Sequence, residues 1–186
     1  MTNVLFIITG PSGVGKTTVG MELLKQMPNM QRIVTYVTRK PRPNEKNGID
    51  YNFIKVEEFL KRRDNGDFFE HDEHYGHFYG NSRNDLEKIW QNGKVALFLL
   101  DPHGAKTVRN IFPQAKTIFI LPDNNENLAR RIKKRPMSDE AFTQRWIAVQ
   151  EELNYADSCD FTVVNEEGAI EKTVQEIKKY IIDFLK

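Results

Sequence analysis

The chain has 186 residues, a net charge of +1 and a single cysteine, Cys159. This length predicts one compact domain. The balanced charge argues against a protein that binds nucleic acid or an acidic membrane surface. One cysteine excludes an intramolecular disulfide and a cysteine-ligated zinc site. No apolar run is long enough to span a membrane, and the first predicted strand leaves no room for a signal peptide, so we expect a cytoplasmic protein.

The first predicted strand and helix enclose a phosphate-binding motif. Residues 3–9 are apolar and rich in β-formers, and residues 16–27 repeat apolar side chains at helical spacing. Between them, G-P-S-G-V-G-K-T at 10–17 matches the P-loop pattern G-x-x-x-x-G-K-[ST]. In this motif backbone N–H groups cradle the phosphates, the lysine reaches the β- and γ-phosphates and the hydroxyl ligates Mg²⁺. We therefore predict a nucleoside triphosphate site, with Thr17 as metal ligand, formed by Gly10, Pro11, Ser12, Gly13, Val14, Gly15, Lys16, Thr17 and Thr18.

Apolar runs and helical patterns then alternate along the chain. The predicted strands are 4–8, 95–100, 117–121 and 161–164, and the predicted helices are 17–27, 104–111, 125–134 and 169–185. Because the strands are almost continuously apolar, we expect them to be buried on both faces. The predicted fold class is therefore α/β, with a central parallel sheet between two helical layers and a ligand site at the carboxyl ends of the strands.

Two segments interrupt this alternation. Residues 35–83 carry aromatic, glycine and charged residues, with strand-like pieces at 51–54 and 68–69 and a helix at 56–64. This composition predicts an inserted lobe. Residues 130–152 place many basic side chains at helical spacing and are interrupted at Pro136, which predicts a helical hairpin with a break at its tip.

Several short motifs follow the P-loop in order. They read T-R-K-P-R-P at 38–43, N-G-I-D-Y at 47–51, F-F-E-H at 68–71, F-Y-G-N-S-R at 78–83, D-P-H-G-A at 101–105, R-x-x-x-R-P-x-S-D-E at 131–140 and V-V-N at 163–165. In order and spacing they resemble the guanylate kinases over most of the chain. The resemblance implies a three-layer P-loop kinase that uses Mg²⁺ and ATP to convert GMP, and also dGMP, to GDP. It implies one domain over 1–186, with a core of 1–34, 84–124 and 157–186, a monophosphate-binding lobe of 35–83 and a lid of 125–156.

The resemblance places the acceptor phosphate beside two arginines and two tyrosines. Arg39 and Arg42 lie in the loop at 39–48, where Pro41 and Pro43 restrict the backbone. Guanidinium forks suit a phosphate because they donate two parallel hydrogen bonds, and tyrosine hydroxyls add further donors. By resemblance, the phosphate of GMP is held by Arg39, Arg42, Tyr51 and Tyr79.

Base recognition is assigned by resemblance to Glu70, Thr35, Asn81 and Asp101. Guanine presents adjacent N1–H and N2–H₂ donors that one carboxylate accepts, whereas adenine presents a bare N1 acceptor at this edge. Thr35 supplies a donor to the guanine O6. Asp101 ends a predicted strand near the P-loop and has two open roles, either orienting water on Mg²⁺ or contacting the guanine amino group.

The resemblance also assigns the lid and the adenine site. Lid arginines cover the charge of the transferring phosphoryl group, so the predicted catalytic residues are Lys16, Arg39, Arg131, Arg135 and Arg145. Asn165 lies beside the adenine of ATP. The predicted ligands are ATP and GMP or dGMP, with neither nucleic acid nor membrane as partner, and the predicted state is a monomer or a homodimer.

Four features depart from the family pattern. Asn81 replaces a serine or threonine, Leu99 an acidic residue and His103 a glutamine, while the lid tip lacks its usual R-G-T. These departures leave open a related kinase whose acceptor is another nucleoside monophosphate or a phosphorylated sugar. A catalytically inactive binding module is a further alternative, which the intact P-loop disfavours.

Overall fold

The computed structural model describes residues 3–74, 76–134 and 137–186, and within these ranges it has nine strands and seven α-helices. The strands are β1 (Leu5–Thr9), β2 (Met30–Arg32), β3 (Tyr36–Val37), β4 (Asn52–Phe53), β5 (Phe68–His74), β6 (His77–Ser82), β7 (Val95–Leu99), β8 (Lys116–Pro122) and β9 (Phe161–Asn165). The helices are α1 (Lys16–Gln26), α2 (Val56–Asp64), α3 (Arg83–Gln91), α4 (Pro102–Ile111), α5 (Asn125–Lys133), α6 (Asp139–Leu153) and α7 (Ile170–Leu185).

The central sheet is parallel throughout, with strand order β2-β7-β1-β8-β9. Strand β1 lies in the middle, and all of its residues are buried. Its alternate side chains point to opposite faces because the period of a strand is two residues. The predicted fold class is confirmed, since the apolar runs are the strands of a parallel sheet covered on both faces.

Each face of this sheet packs against its own set of helices. On one face Phe6 and Ile8 of β1 share a buried cluster with residues of α1, α5, α6 and α7. On the other, Leu5 and Ile7 pack with residues of α3 and α4. The P-loop between β1 and α1 is therefore anchored at both ends to the buried core.

A second sheet of four strands, in the order β4-β3-β6-β5, is built from the segment predicted as an inserted lobe. Strands β5 and β6 form an antiparallel hairpin, and β3 pairs antiparallel with β6. Helix α2 covers this sheet through Phe59, which is fully buried and stacks on Phe68 at a centroid distance of 4.6 Å and on Phe78 at 5.4 Å. Aromatic packing thus gives the segment a small core of its own.

The predicted strands of the central sheet and the predicted helices agree with the observed ones to within two residues. Strands β2, β3 and β6 were not predicted, and β5 continues to His74, beyond the predicted piece at 68–69. Helix α4 begins at Pro102 because Asp101 caps it and proline is favoured in the first helical turn. Helix α3 was not predicted, although Ser82 accepts a hydrogen bond from the amide of Asp85 and so supplies a capping signal. The hairpin α5–α6 is confirmed, while Arg135 and the predicted break at Pro136 lie outside the described residues.

No helix in the described ranges combines the length and the apolar character needed to cross a membrane.

Candidate active site

The P-loop requires glycine at three of its positions. Gly10, Gly13 and Gly15 have φ angles of 144°, 83° and 103°, a range that side chains with a Cβ rarely adopt. A Cβ on Gly10 would also lie 2.5 Å from the carbonyl oxygen of Ile120. The loop therefore passes close to the carboxyl end of β8 and turns into α1, whose amino-terminal end favours an anion.

Lys16 lies over its own loop. Its Nζ donates hydrogen bonds to the carbonyl oxygens of Gly10, at 2.6 Å, and Pro11, at 3.0 Å. Thr17 and Thr18 follow in the first turn of α1, and both are exposed. The structure thus places the predicted lysine and hydroxyls at the end of the P-loop, where they could contact bound phosphates.

Asn165 contacts the backbone of the P-loop. Its Nδ2 donates to the carbonyl oxygen of Val14 at 2.8 Å, and its Oδ1 accepts from the hydroxyl of Thr173 at 3.2 Å. The side chain is 8% exposed and packs so closely that a Cβ on Gly15 would lie 2.7 Å from Nδ2. Asn165 therefore acts on the loop backbone in this structure, and its predicted contact with adenine stays a prediction.

The residues predicted to hold the acceptor phosphate form an aromatic and cationic cluster. The guanidinium of Arg39 lies 4.9 Å from the ring centroid of Tyr51, and the rings of Tyr51 and Tyr79 are 6.4 Å apart. Arg39 is 9% exposed, whereas the side chain of Arg42 is exposed. Three of the four predicted residues are thus adjacent, and Arg42 follows on the same loop.

Sequence reasoning missed Glu45, which holds this cluster together. Its carboxylate accepts from both terminal nitrogens of Arg39, at 2.6 and 2.7 Å, and from the backbone N–H of Arg42 at 2.8 Å. The hydrogen bonds from Arg39 hold the pKa of Glu45 below its ordinary value. The sequence feature that could have pointed to Glu45 is an acidic residue within a loop that carries two arginines. Glu45 fixes the plane of the Arg39 guanidinium.

The predicted base-recognition residues form a hydrogen-bonded chain. The hydroxyl of Thr35 donates to Oδ1 of Asn81 at 2.9 Å, and Nδ2 of Asn81 donates to Oε2 of Glu70 at 2.7 Å. Asn81 is 1% exposed, while its two neighbours are half-buried. The asparagine that departs from the family pattern is therefore the link between the other two side chains.

Asp101 and Leu99 lie at the carboxyl end of β7 and have different structural roles. Oδ1 of Asp101 accepts from the backbone N–H of Gly104 at 2.8 Å and so caps α4. Leu99 packs against α1 so tightly that a Cβ on Gly20 would lie 2.5 Å from its Cδ2. An apolar side chain at position 99 thus serves helix packing. Nδ1 of His103, in α4, lies 3.5 Å from the carboxylate of Asp72 on β5, so it links α4 to the second sheet.

The predicted lid arginines differ in what they contact. Nε of Arg145, on α6, donates to the hydroxyl of Ser12 in the P-loop at 3.2 Å. Arg131, on α5, lies within electrostatic reach of Asp123. Arg135 falls outside the described residues. Of the predicted lid residues, the structure brings Arg145 to the phosphate-binding loop.

A second acid, Glu152, was also missed by sequence reasoning. Its Oε2 accepts from the backbone N–H of Ser12 at 3.0 Å. Burial raises the pKa of Glu152, while the Ser12 N–H and the charges of Lys16 and Arg145 oppose the rise. No sequence pattern pointed to this residue, because it lies 140 positions from its partner.

The described residues contain no group of three or more His, Cys, Asp and Glu side chains that could hold a metal ion. The oxygen groups near the P-loop include the hydroxyls of Ser12, Thr17 and Thr18, the carboxylate of Glu152 and the carboxylate of Asp101, which acts electrostatically on Glu152. Mg²⁺ keeps several waters and takes one or two protein ligands together with substrate phosphates. This small donor set fits such an ion.

Comparison with known proteins identifies the family of this chain over almost its full length. A family model described as Guanylate kinase matches residues 2–183. A guanylate kinase of Salinibacter ruber is 38% identical over 182 residues, covering 95% of this chain and 96% of that protein. One of Chlamydia felis is 41% identical over 180 residues, covering 96% of this chain and 87% of that protein. The crystal structure of guanylate kinase from Anaplasma phagocytophilum matches with a TM-score of 0.78 and 31% identity, covering 97% of this chain and 85% of that chain. This chain belongs to the guanylate kinase family.

Proposed function

We propose that this enzyme transfers the γ-phosphoryl group of ATP to GMP, and also to dGMP, yielding ADP and GDP or dGDP. The observation that carries the acceptor assignment is the chain of hydrogen bonds from Thr35 through Asn81 to Glu70. It lies in the second sheet, apart from the P-loop, so that donor and acceptor have separate sites.

Asn81 explains how this chain of hydrogen bonds reads guanine. The hydroxyl of Thr35 donates its proton to Asn81, so another group has to donate a hydrogen bond to the guanine O6. The second N–H of the Asn81 carboxamide supplies it, because the first is used on Glu70. Glu70 then accepts from N1–H and N2–H₂ of guanine. Adenine would leave these polar groups unpaired, and sites of this kind reject the wrong ligand by roughly 10⁴–10⁵-fold.

The phosphate of GMP binds at the cluster around Arg39. Glu45 accepts from both terminal nitrogens of Arg39, the carbonyl oxygen of Lys40 accepts from one of them, and together they fix the plane of its guanidinium. Arg42 and the hydroxyls of Tyr51 and Tyr79 add donors on the exposed side. These groups hold the acceptor oxygen in line for attack, which is the main contribution of the protein in phosphoryl transfer.

The P-loop residues hold the triphosphate, with Lys16 moving from its own loop carbonyls to the β- and γ-phosphates. The cations of Lys16, Arg131, Arg135 and Arg145 neutralise the charge on the transferring group. Bound Mg²⁺ would supply further charge neutralisation, with Thr17 as its protein ligand. Asp101 would either orient a coordinated water or contact the guanine amino group. A cytoplasmic location and a monomeric or dimeric state are part of this proposal.

The test is an ADP-release assay with ATP and Mg²⁺ against GMP, dGMP, IMP, AMP, CMP and UMP. We expect turnover with GMP and dGMP, weak turnover with IMP, which lacks the amino group, and none with AMP. Turnover with AMP equal to that with GMP would remove Glu70 and Asn81 from base recognition. ATP binding without turnover of any acceptor would favour a binding module.

The replacement of serine or threonine by Asn81 motivates one alternative, a kinase for another nucleoside monophosphate or for a phosphorylated sugar. The carboxamide is longer than a hydroxyl and reduces the space beside Glu70. Turnover of another acceptor in the absence of GMP turnover would select this alternative.

A further inference from the structure

Helix α6 contacts a single P-loop residue through two hydrogen bonds. Glu152 accepts from the backbone N–H of Ser12 at 3.0 Å, and Arg145 donates to the hydroxyl of the same serine at 3.2 Å. The two contacts engage the main chain and the side chain of Ser12. They tie the loop to a helix that is 133 to 140 positions away in sequence.

The spacing of these residues makes the contact rigid. Arg145, Val149 and Glu152 are separated by four and three positions, so they lie on one face of α6. Val149 is fully buried in the cluster that also contains Val14 of the P-loop. The hydrogen-bonding residues are therefore held on either side of a buried contact, which limits how far α6 moves against the loop.

The P-loop needs such support because glycines give it unusual conformational freedom. Gly10, Gly13 and Gly15 all have positive φ angles, and glycine loses more backbone entropy on ordering than any other residue. Asn165 holds one side of the loop through the carbonyl oxygen of Val14. Glu152 holds a second point of the loop through the N–H of Ser12, so the loop is fixed at two points.

We propose that Glu152 is a positioning residue for ATP: its carboxylate holds the Ser12 amide and thereby keeps the P-loop in the conformation that receives the triphosphate. The proposal rests on the donor site described above. A carboxylate beside a phosphate site would repel ATP if its charge were uncompensated. Lys16 and Arg145 act on Glu152 with positive charge, and Asp101 is the acid that acts on it with negative charge.

The experiment compares two variants of Glu152 with a control on the adjacent residue. Glu152→Ala removes the acceptor, whereas Glu152→Gln keeps an oxygen that accepts from Ser12. Glu151→Ala is the control, because Glu151 is exposed on the same helical turn. Binding of a non-hydrolysable ATP analogue and of GMP is measured separately by calorimetry, together with the midpoint of thermal unfolding and the steady-state KM and kcat.

We expect Glu152→Ala to weaken binding of the ATP analogue about tenfold or more, as for a lost charge-assisted hydrogen bond. Binding of GMP changes less than about twofold, because its site lies in the other sheet, and Glu152→Gln loses at least threefold less affinity for the analogue than Glu152→Ala. Glu151→Ala should bind the ATP analogue and GMP with the same affinities as the unsubstituted protein.

Three results would overturn the proposal. One is unchanged binding of the analogue by folded Glu152→Ala. Another is an equal loss of analogue and GMP affinity together with a lower unfolding midpoint, which is the sign of a merely structural role. The third is a loss in Glu152→Gln as large as in Glu152→Ala. Because analogue binding is measured without an acceptor, these results are separate from a failure of the original protein to phosphorylate GMP.

Discussion

Two acids lie directly against the groups that are proposed to bind phosphates. Glu45 contacts Arg39 and the Arg42 amide at the acceptor site, and Glu152 contacts the Ser12 amide at the donor site. In each case the carboxylate fixes a donor that a mobile loop would otherwise leave free to move. At the residue scale, the proposed phosphate sites are therefore held in place by acidic side chains as well as lined by cations.

The ion pair of Arg39 with Glu45 should be visible in stability. We expect Glu45→Gln to lower the free energy of unfolding by about 2 kcal/mol, because a hydrogen bond to a charged, largely buried partner is weakened. For a chain of this length, the midpoint of thermal unfolding falls by about 4–8 °C. Glu87→Gln, on the exposed side of α3, is the control and should leave the midpoint unchanged.

The same pair gives a pH dependence with a defined sign. Arg39 lowers the pKa of Glu45 in the folded protein. The stabilisation is therefore complete above the ordinary pKa of a glutamate, about 4.3, and is lost as the pH falls through the lower folded value. The stability difference between the original protein and Glu45→Gln should be full at pH 7 and shrink below about pH 4. A difference that stays constant with pH would contradict this account.

At the scale of elements, α2 joins the second sheet through one buried aromatic ring. Phe59 is 0% exposed and stacks on rings from both β5 and β6. The strands that carry Glu70 and Asn81 are those same two strands. Packing of α2 therefore supports the proposed base-recognition residues from the opposite face of the sheet.

Truncation of this ring should damage the acceptor site selectively. We expect Phe59→Ala to cost about 3–5 kcal/mol of stability, because it removes a buried aromatic side chain and leaves a cavity. The KM for GMP should rise at least several-fold, while affinity for the ATP analogue changes little because the P-loop belongs to the other sheet. Val56→Ala, at the exposed start of α2, is the control. An equal loss of affinity for GMP and for the ATP analogue would show that Phe59→Ala perturbs both sheets and not the second sheet alone.

At the scale of the whole molecule, the proposed donor and acceptor groups belong to different sheets. Phe69 of β5 joins the two sheets by packing against Phe98 of β7 at a centroid distance of 5.8 Å, while the partly exposed His103–Asp72 pair contributes little to stability. Ligands should therefore stabilise the protein through separate sites. Their effects on thermal unfolding then report each site by itself.

Thermal shifts test this separation. A ligand at a hundred times its Kd stabilises the folded state by about 2.7 kcal/mol, which raises the midpoint by about 5–10 °C here. We expect such a shift with GMP and with the ATP analogue. In Glu70→Gln the GMP shift should fall by more than about half, because an amide N–H₂ faces the guanine donors, while the analogue shift remains. Glu73→Gln, exposed on the same strand, serves as control. Equal loss of both shifts would remove Glu70 from base recognition.

Local patterns in the sequence were sufficient for the P-loop, the parallel sheet and most helix boundaries. Glycine spacing, apolar runs and capping residues act over a few positions, so their physical effect is readable without a fold. The ordered motifs were likewise sufficient for the family. Even so, β2, β3, β6 and α3 were not predicted, because strands of two or three residues, a strand with few apolar residues and a short polar helix give weak periodic signals.

Only the tertiary structure identified the partners of the site residues. Glu152 reaches Ser12 across 140 positions, Asn81 reaches Thr35 across 46, and Asn165 reaches Val14 across 151. These contacts depend on which strand ends and helix faces meet, which is a property of the packed sheets. The sequence alone determined which chemical groups the protein carries. The fold decided which of them are aimed at a ligand and which hold another residue in place, because hydrogen-bond partners are chosen by distance in space.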